Sequence, residues 1–202
     1  MNLYLIRHGD YLEDLEDGKY QDLGLSPEGV RQVEALRERL SRTDEIKADV
    51  LLSSSMRRAR ESAAILAPVW DQPVLFEKDF EEWVCDDGTL TPEEFSRRWQ
   101  QVSEAQKPFY RFMPGYETAL EFSGRVQAAF NRILQEHQGK TLVLVTHGGV
   151  IGTAFSYFFG LSAALPSRVG LGTKNASITH WYQPASAPKW ILERYNDYHH
   201  LR

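Results

Sequence analysis

Leu3-Tyr4-Leu5-Ile6-Arg7-His8-Gly9 and Leu142-Val143-Leu144-Val145-Thr146-His147-Gly148-Gly149 share one design: an apolar run ending in a histidine followed by glycine. Neither run alternates with polar residues, which is the pattern of a central strand covered on both faces. Asp49 to Leu52 reads as another buried strand, leading through Ser53-Ser54-Ser55 into Met56-Arg57-Arg58-Ala59, and Val74-Leu75-Phe76 as a further one. Helical patterns lie between. Ser26 caps a helix with Pro27 at its first position, and Val30, Val33, Leu36 and Leu40 recur at helical spacing. A helix from about Met56 to Ala67 is stopped by Pro68. Glu117 to Gln138 forms a long amphipathic helix closed by Gly139. Gly148 to Phe159 is another helix, and Ser177 to Tyr182 pairs with Trp190 to Tyr195 as late strands. Alternating strands and helices predict an α/β fold, a three-layer sandwich with a mostly parallel sheet flanked by helices.

From Glu77 to Tyr116 the texture changes. Phe80, Trp83, Phe95, Trp99, Phe109, Tyr110, Phe112 and Tyr116 crowd a stretch with three prolines. We read residues 1–202 as a single domain with an aromatic-rich helical insertion at about 77–116, carrying one helix near Pro92 to Ala105 and lying over the active site. Its aromatics suit packing within the insertion better than a substrate cage.

The chain has 202 residues, 42% of them hydrophobic and 25% charged, enough to bury a core. With 23 basic and 28 acidic residues its net charge is −5, which argues against a nucleic-acid or membrane-surface binder, since both need a broad basic face. One cysteine, Cys85, excludes an intrachain disulfide and fits a reducing compartment. The apolar run at the start is too short for a secretory signal, and Leu142 to Leu165 contains a histidine and four glycines, so it reads as strand, turn and helix. The expectation is a cytoplasmic protein without nucleic-acid or membrane partners. Nothing in the sequence bears on oligomeric state.

Strand ends of an open α/β sheet are where side chains meet ligand. Two histidines and at least two arginines at such ends point to a bound phosphoryl group. Its charge spreads over three oxygens, which arginine forks satisfy, and catalysis is mostly positioning and charge stabilisation. A neutral imidazole whose other nitrogen is held by an acceptor can attack phosphorus, and a carboxylic acid must then protonate the leaving oxygen.

The chain resembles the histidine phosphatases, or phosphoglycerate-mutase-like proteins, over nearly its whole length. Arg7-His8-Gly9 is similar to the family's nucleophile motif and Leu25-Ser26-Pro27-Glu28-Gly29 with Gln32 to its first-helix opening. Ser53-Ser54-Ser55-Met56-Arg57-Arg58-Ala59 matches a pattern that selects Arg58 rather than Arg57, and Val145 to Gly149 resembles the second histidine segment. Gly115-Tyr116-Glu117-Thr118 and the tail from Asn196 to Leu201 also echo family usage. The resemblance implies His8 as a phosphohistidine nucleophile, Arg7, Arg58 and His147 around the phosphoryl group, and no metal or other cofactor. In Leu75-Phe76-Glu77-Lys78-Asp79-Phe80 it aligns Glu77 with the general acid and places Trp83 where an aromatic is common. The glycine of that pattern is replaced by Glu81, so Glu81 and Glu82 stand as rivals to Glu77.

Other hydrolase signatures fail. Cys85 has Thr91 where a thiolate phosphatase needs arginine, Gly139-Lys140-Thr141 precedes a strand and lacks the leading glycine of a P-loop, and no metal-ligand spacing occurs. The resulting expectation is a metal-independent phosphomonoesterase acting through phosphohistidine on small phosphate esters. A phosphoglycerate-type mutase and a phospho-ligand-binding pseudoenzyme are the alternatives.

Overall fold

A computed structural model describes residues 1–16, 19–164 and 169–202. The elements run β1 (Asn2–Arg7), β2 (Tyr11–Glu16), β3 (Lys19–Leu25), α1 (Pro27–Thr43), β4 (Val50–Ser54), α2 (Arg57–Leu66), β5 (Val74–Glu77), α3 (Pro92–Gln101), α4 (Ala119–Glu136), β6 (Thr141–Thr146), α5 (Gly148–Phe159), β7 (Ile178–Tyr182) and β8 (Ile191–Asp197). Among the described residues, six strands form one sheet in the order β5-β4-β6-β1-β7-β8. The first four are parallel, and β7 and β8 are antiparallel additions. The α/β expectation holds.

The unbroken apolar runs are explained by the two faces they serve. Leu3 and Leu5 of β1 pack with Val126 and Phe130 of α4 and Ile151 of α5, while Tyr4 and Ile6 pack with Leu36 of α1 and Ala63 of α2. Each such side chain, removed from water, contributes about 1.5–3 kcal/mol. β5 is the edge strand, and its Leu75 and Phe76 are exposed. Of the apolar stretch that begins at Leu142, β6 and α5 account for Thr141 to Phe159; Leu165 lies outside the described residues. Among the described residues no helix is long and apolar enough to cross a membrane.

Capping sets the helix starts. Ser26 Oγ accepts the Gly29 amide at 3.0 Å and donates to the Asp10 carboxylate at 2.5 Å. Gly29 is required by close approach, because a β-carbon there would lie 1.8 Å from the Asp10 carbonyl oxygen. The start of α1 is thus seated flush on the loop that follows His8. Thr118 and Glu121 form a reciprocal capping box, so α4 begins at Ala119, two residues later than the sequence pattern suggests.

The hairpin β2–β3 is absent from the sequence reading, although Asp17-Gly18 between two β-prone runs is a hairpin signature. It lies against α2: the Leu25 amide donates to Glu61 at 2.7 Å. The insertion forms its own aromatic layer, with Phe95 stacked on Phe112 at 4.6 Å between ring centres and Trp99 on Phe112 at 5.6 Å. Its helix ends at Gln101, short of the expected Ala105. Lys19 of the hairpin meets Asp87 of the insertion at 3.4 Å. The C-terminal His199-His200 docks near α1, where Asp197 joins Arg39 at 2.7 Å and Arg194 at 3.1 Å.

Candidate active site

β4, β6 and β1 are parallel neighbours, so their C-terminal ends lie side by side. Arg7 ends β1 and is followed by His8, Ser54 ends β4, and His147 follows β6 and caps α5. Arg58 is the second residue of α2. Four groups read from the sequence therefore meet: the His8 and His147 rings are 5.1 Å apart, and Arg58 Nε donates to His8 Nε2 at 3.2 Å. Arg7 and Arg58 are close enough for their charges to act on both rings.

His8 is almost fully buried, and its Nδ1 lies 2.7 Å from the Gly9 carbonyl. A carbonyl only accepts, so Nδ1 carries the ring proton and Nε2 carries the lone pair that accepts from Arg58 Nε. Burial, with Arg58 and Arg7 beside it, pushes the His8 pKa down to about 3, so the ring is neutral at physiological pH. His147 is fully buried and is held well below its ordinary pKa by burial and then by Arg58. Its Nε2 is 2.8 Å from Ser54 Oγ, which itself accepts the Met56 amide at 3.3 Å. Where the hydroxyl donates to His147 Nε2, the ring proton is on Nδ1. That Nδ1 is buried without a protein partner, as is Arg7 Nε. In that tautomer both are donors, and they border the His8 ring. The N-terminus of the 12-residue α5 adds its dipole to this positive cluster. Such a set suits an anion with several oxygens.

Residues that the sequence reading passed over hold these groups in place. Asp22 of the hairpin accepts from Arg58 NH1 at 3.0 Å and from its backbone amide at 3.2 Å, and the Tyr11 ring lies under the guanidinium at 4.4 Å. Asn175 donates to the His8 carbonyl at 3.1 Å, and the Thr173 carbonyl accepts from Arg7.

The carboxylates differ sharply. Glu77, aligned with the general acid by resemblance, is not brought to the histidines. It ends the edge strand and pairs with Arg132 of α4 at 2.6 Å, and no contact joins it to Arg7, His8, Arg58 or His147. Glu82 takes that place. Its Oε2 accepts the Gly149 amide at 2.9 Å, its Oε1 accepts the Trp83 amide at 3.0 Å, and its charge supports that of Arg7, which burial pulls down. Glu81 is bound to Ser55, one residue from the Ser54 that holds His147.

The family pattern of the histidine phosphatase superfamily, branch 1, matches residues 3–197. The chain belongs to this superfamily. A curated relative, the probable phosphoglycerate mutase GpmB of Citrobacter koseri, is 32% identical over 215 residues, covering 100% of this chain and 95% of that protein. Among solved structures, the fold matches the α-ribazole phosphatase of Shigella flexneri with a TM-score of 0.76 at 19% identity, covering 98% of this chain and 97% of the other. It also matches the phosphoserine phosphatase of Entamoeba histolytica with a TM-score of 0.71 at 21% identity, covering 100% and 99%. Members of the superfamily are phosphatases or mutases. The sequence signal near Glu82 is the departure from the family pattern at Glu81, which stands in the glycine position.

Proposed function

We propose that the protein is a metal-independent phosphomonoesterase that works through a phosphohistidine intermediate on small phosphate esters. The observation that carries this reading is the His8 ring, whose Nδ1 proton is given to the Gly9 carbonyl at 2.7 Å while Nε2 faces Arg58 and His147. His8 Nε2 attacks phosphorus and the P–O bond to the alcohol breaks. Arg7, Arg58 and His147 Nδ1 hold the three phosphoryl oxygens, and Glu82 gives the leaving oxygen its proton. Water, giving its proton back to Glu82, then attacks phosphorus. The P–N bond breaks, and inorganic phosphate leaves.

Two observations bear on the competing mutase reading. The curated relatives are named probable phosphoglycerate mutases, whereas the structures of similar fold include an α-ribazole and a phosphoserine phosphatase. A mutase must protect its phosphoenzyme from water until the product reorients. Comparing phosphate release with isomer formation from phosphoglycerates separates the two. The decisive experiment is His8→Ala. It is expected to abolish phosphate release and an acid-labile, alkali-stable phosphoenzyme in a protein that remains folded. Unchanged turnover in that variant overturns the mechanism. A wild-type protein that binds phosphate esters without forming the phosphoenzyme would be a binding module.

A further inference from the structure

Trp83, Phe95, Trp99, Tyr110 and Phe112 of the insertion pack on one another, and an apolar groove lies elsewhere. A groove of about 690 Å³ runs along one face of α5, lined by Gly149, Gly152, Phe155, Phe159, Leu161 and Leu171. These helical positions fall at i, i+3, i+6 and i+10, one stripe from the first turn of the helix to its last. Its near end adjoins the active site: Gly149 gives its amide to Glu82, and Gly148, also in the lining, follows His147. Its far end, ~15 Å away along the axis, carries Phe159 and Leu161, both more than half exposed.

The junction between the two is polar and unsatisfied. The Thr173 hydroxyl is buried without a partner, and it lies 3.4 Å from where a β-carbon on Gly148 would stand. The same point is 3.9 Å from the Arg7 guanidinium, whose Nε is also unpartnered. A volume of this size, apolar along its length with a few convergent donors at one end, has the character of a small-molecule pocket. Its position beside Arg7 and Thr173 at one end only distinguishes it from a surface built for a second subunit.

Resting on the phosphatase reading above, we infer that this groove receives the alcohol portion of the substrate, and that the substrates are phosphate monoesters of bulky apolar alcohols. The ester oxygen sits between Glu82 and the Thr173 hydroxyl, and the apolar body lies over Gly152 toward Phe155 and Phe159. The missing side chain at Gly152 makes the room: a β-carbon there meets no atom within 4 Å.

That open space supplies the test. Gly152→Phe fills the groove at a mid-helix position where any replacement for glycine favours the helix. Biphenyl-4-ylmethyl phosphate is compared with glycerol 2-phosphate, both alkyl esters, so intrinsic leaving-group reactivity is similar. The wild type is expected to favour the biphenyl ester by tenfold or more in kcat/KM, and Gly152→Phe to reduce that preference at least tenfold through KM. Hydrolysis of both esters with a preference that Gly152→Phe leaves unmoved overturns the groove assignment while the phosphatase reading stands. If neither ester is hydrolysed, the phosphatase reading fails, and the groove is read by calorimetry with biphenyl-4-ylmethylphosphonate against methylphosphonate. A tenfold loss of affinity confined to the biphenyl ligand in Gly152→Phe supports it, and equal affinities overturn it. A wild-type dimer that Leu161→Asp dissociates, with the ester preference unmoved by Gly152→Phe, reassigns the groove to subunit contact.

Discussion

The Glu82 carboxylate accepts the backbone amide of Gly149 at 2.9 Å, two residues beyond His147, whereas Glu77 is bound to Arg132 on another helix. In the proposed mechanism the proton donor is therefore set by a contact between a loop and the first turn of α5. Glu82→Gln is expected to lower kcat by about 10²-fold or more, the usual range for a lost general acid. Glu77→Gln is expected to change kcat less than about threefold, since an exposed ion pair contributes little. A 4-nitrophenyl ester, which needs no proton on leaving, should recover much of the Glu82→Gln loss in the phosphorylation step, read by stopped flow. A larger loss in Glu77→Gln than in Glu82→Gln, recovered with the 4-nitrophenyl ester, returns the role to Glu77.

Gly149 is a positional requirement for that carboxylate. A β-carbon there would lie 2.2 Å from Glu82 Oε1, so Gly149→Ala must push the side chain aside. Turnover should fall far more than the melting temperature, since the nearest atoms belong to the flexible Glu82 side chain and the Phe122 ring, at 3.2 Å, has only to give by a few tenths of an ångström. A variant with wild-type turnover would mean that Glu82 acts from another position.

Asp22 positions Arg58 from the hairpin. Their side chains are 14% and 8% exposed, so Asp22→Ala leaves a nearly buried guanidinium without its counter-charge. Breaking such a pair costs on the order of 3 kcal/mol. We expect a lower melting temperature together with weaker inhibition by inorganic phosphate, and a better retained pH profile, because Arg58 is displaced while His8 is kept. A drop in stability with phosphate inhibition intact would confine Asp22 to folding.

Histidine burial makes stability depend on pH. Burial is the leading cause that pushes His8 to about 3 and holds His147 well below its ordinary value, and His180, stacked on Tyr4, is pushed to about 4. In the unfolded chain these rings protonate near ~6.5. Below that pH the unfolded state binds more protons than the folded one, so stability falls as pH drops from about 6.5 toward the folded values. Each fully buried ring, His8 and His147, contributes a slope of up to about 1.4 kcal/mol per pH unit. Urea midpoints at pH 7, 6 and 5 should fall in step, and His8→Ala should flatten the slope by about one proton. Midpoints independent of pH across that window contradict it.

Arg7, His8 and His147 could be found without coordinates because each stands at a strand end, and an apolar run stopped by a charged or imidazole side chain and glycine is a local pattern; Arg58 was set apart from Arg57 by the family resemblance. Strand order brought those ends together, but parallel α/β packing makes that convergence expected. The carboxylate was not legible in this way. Glu77 and Glu82 are five positions apart in one acidic stretch, and what separates them is a partner 55 positions away in one case and 67 in the other. Asp22 was hidden likewise, because it acts on Arg58 across 36 positions from a hairpin that is stable only against α2. The stripe from Gly149 to Phe159 reads in sequence as one face of a buried helix; only the packed layers show that this face opens beside the phosphoryl donors. Local chemistry is written along the chain, whereas which charges are neutralised and which apolar faces stay uncovered depends on distances that exist only after folding.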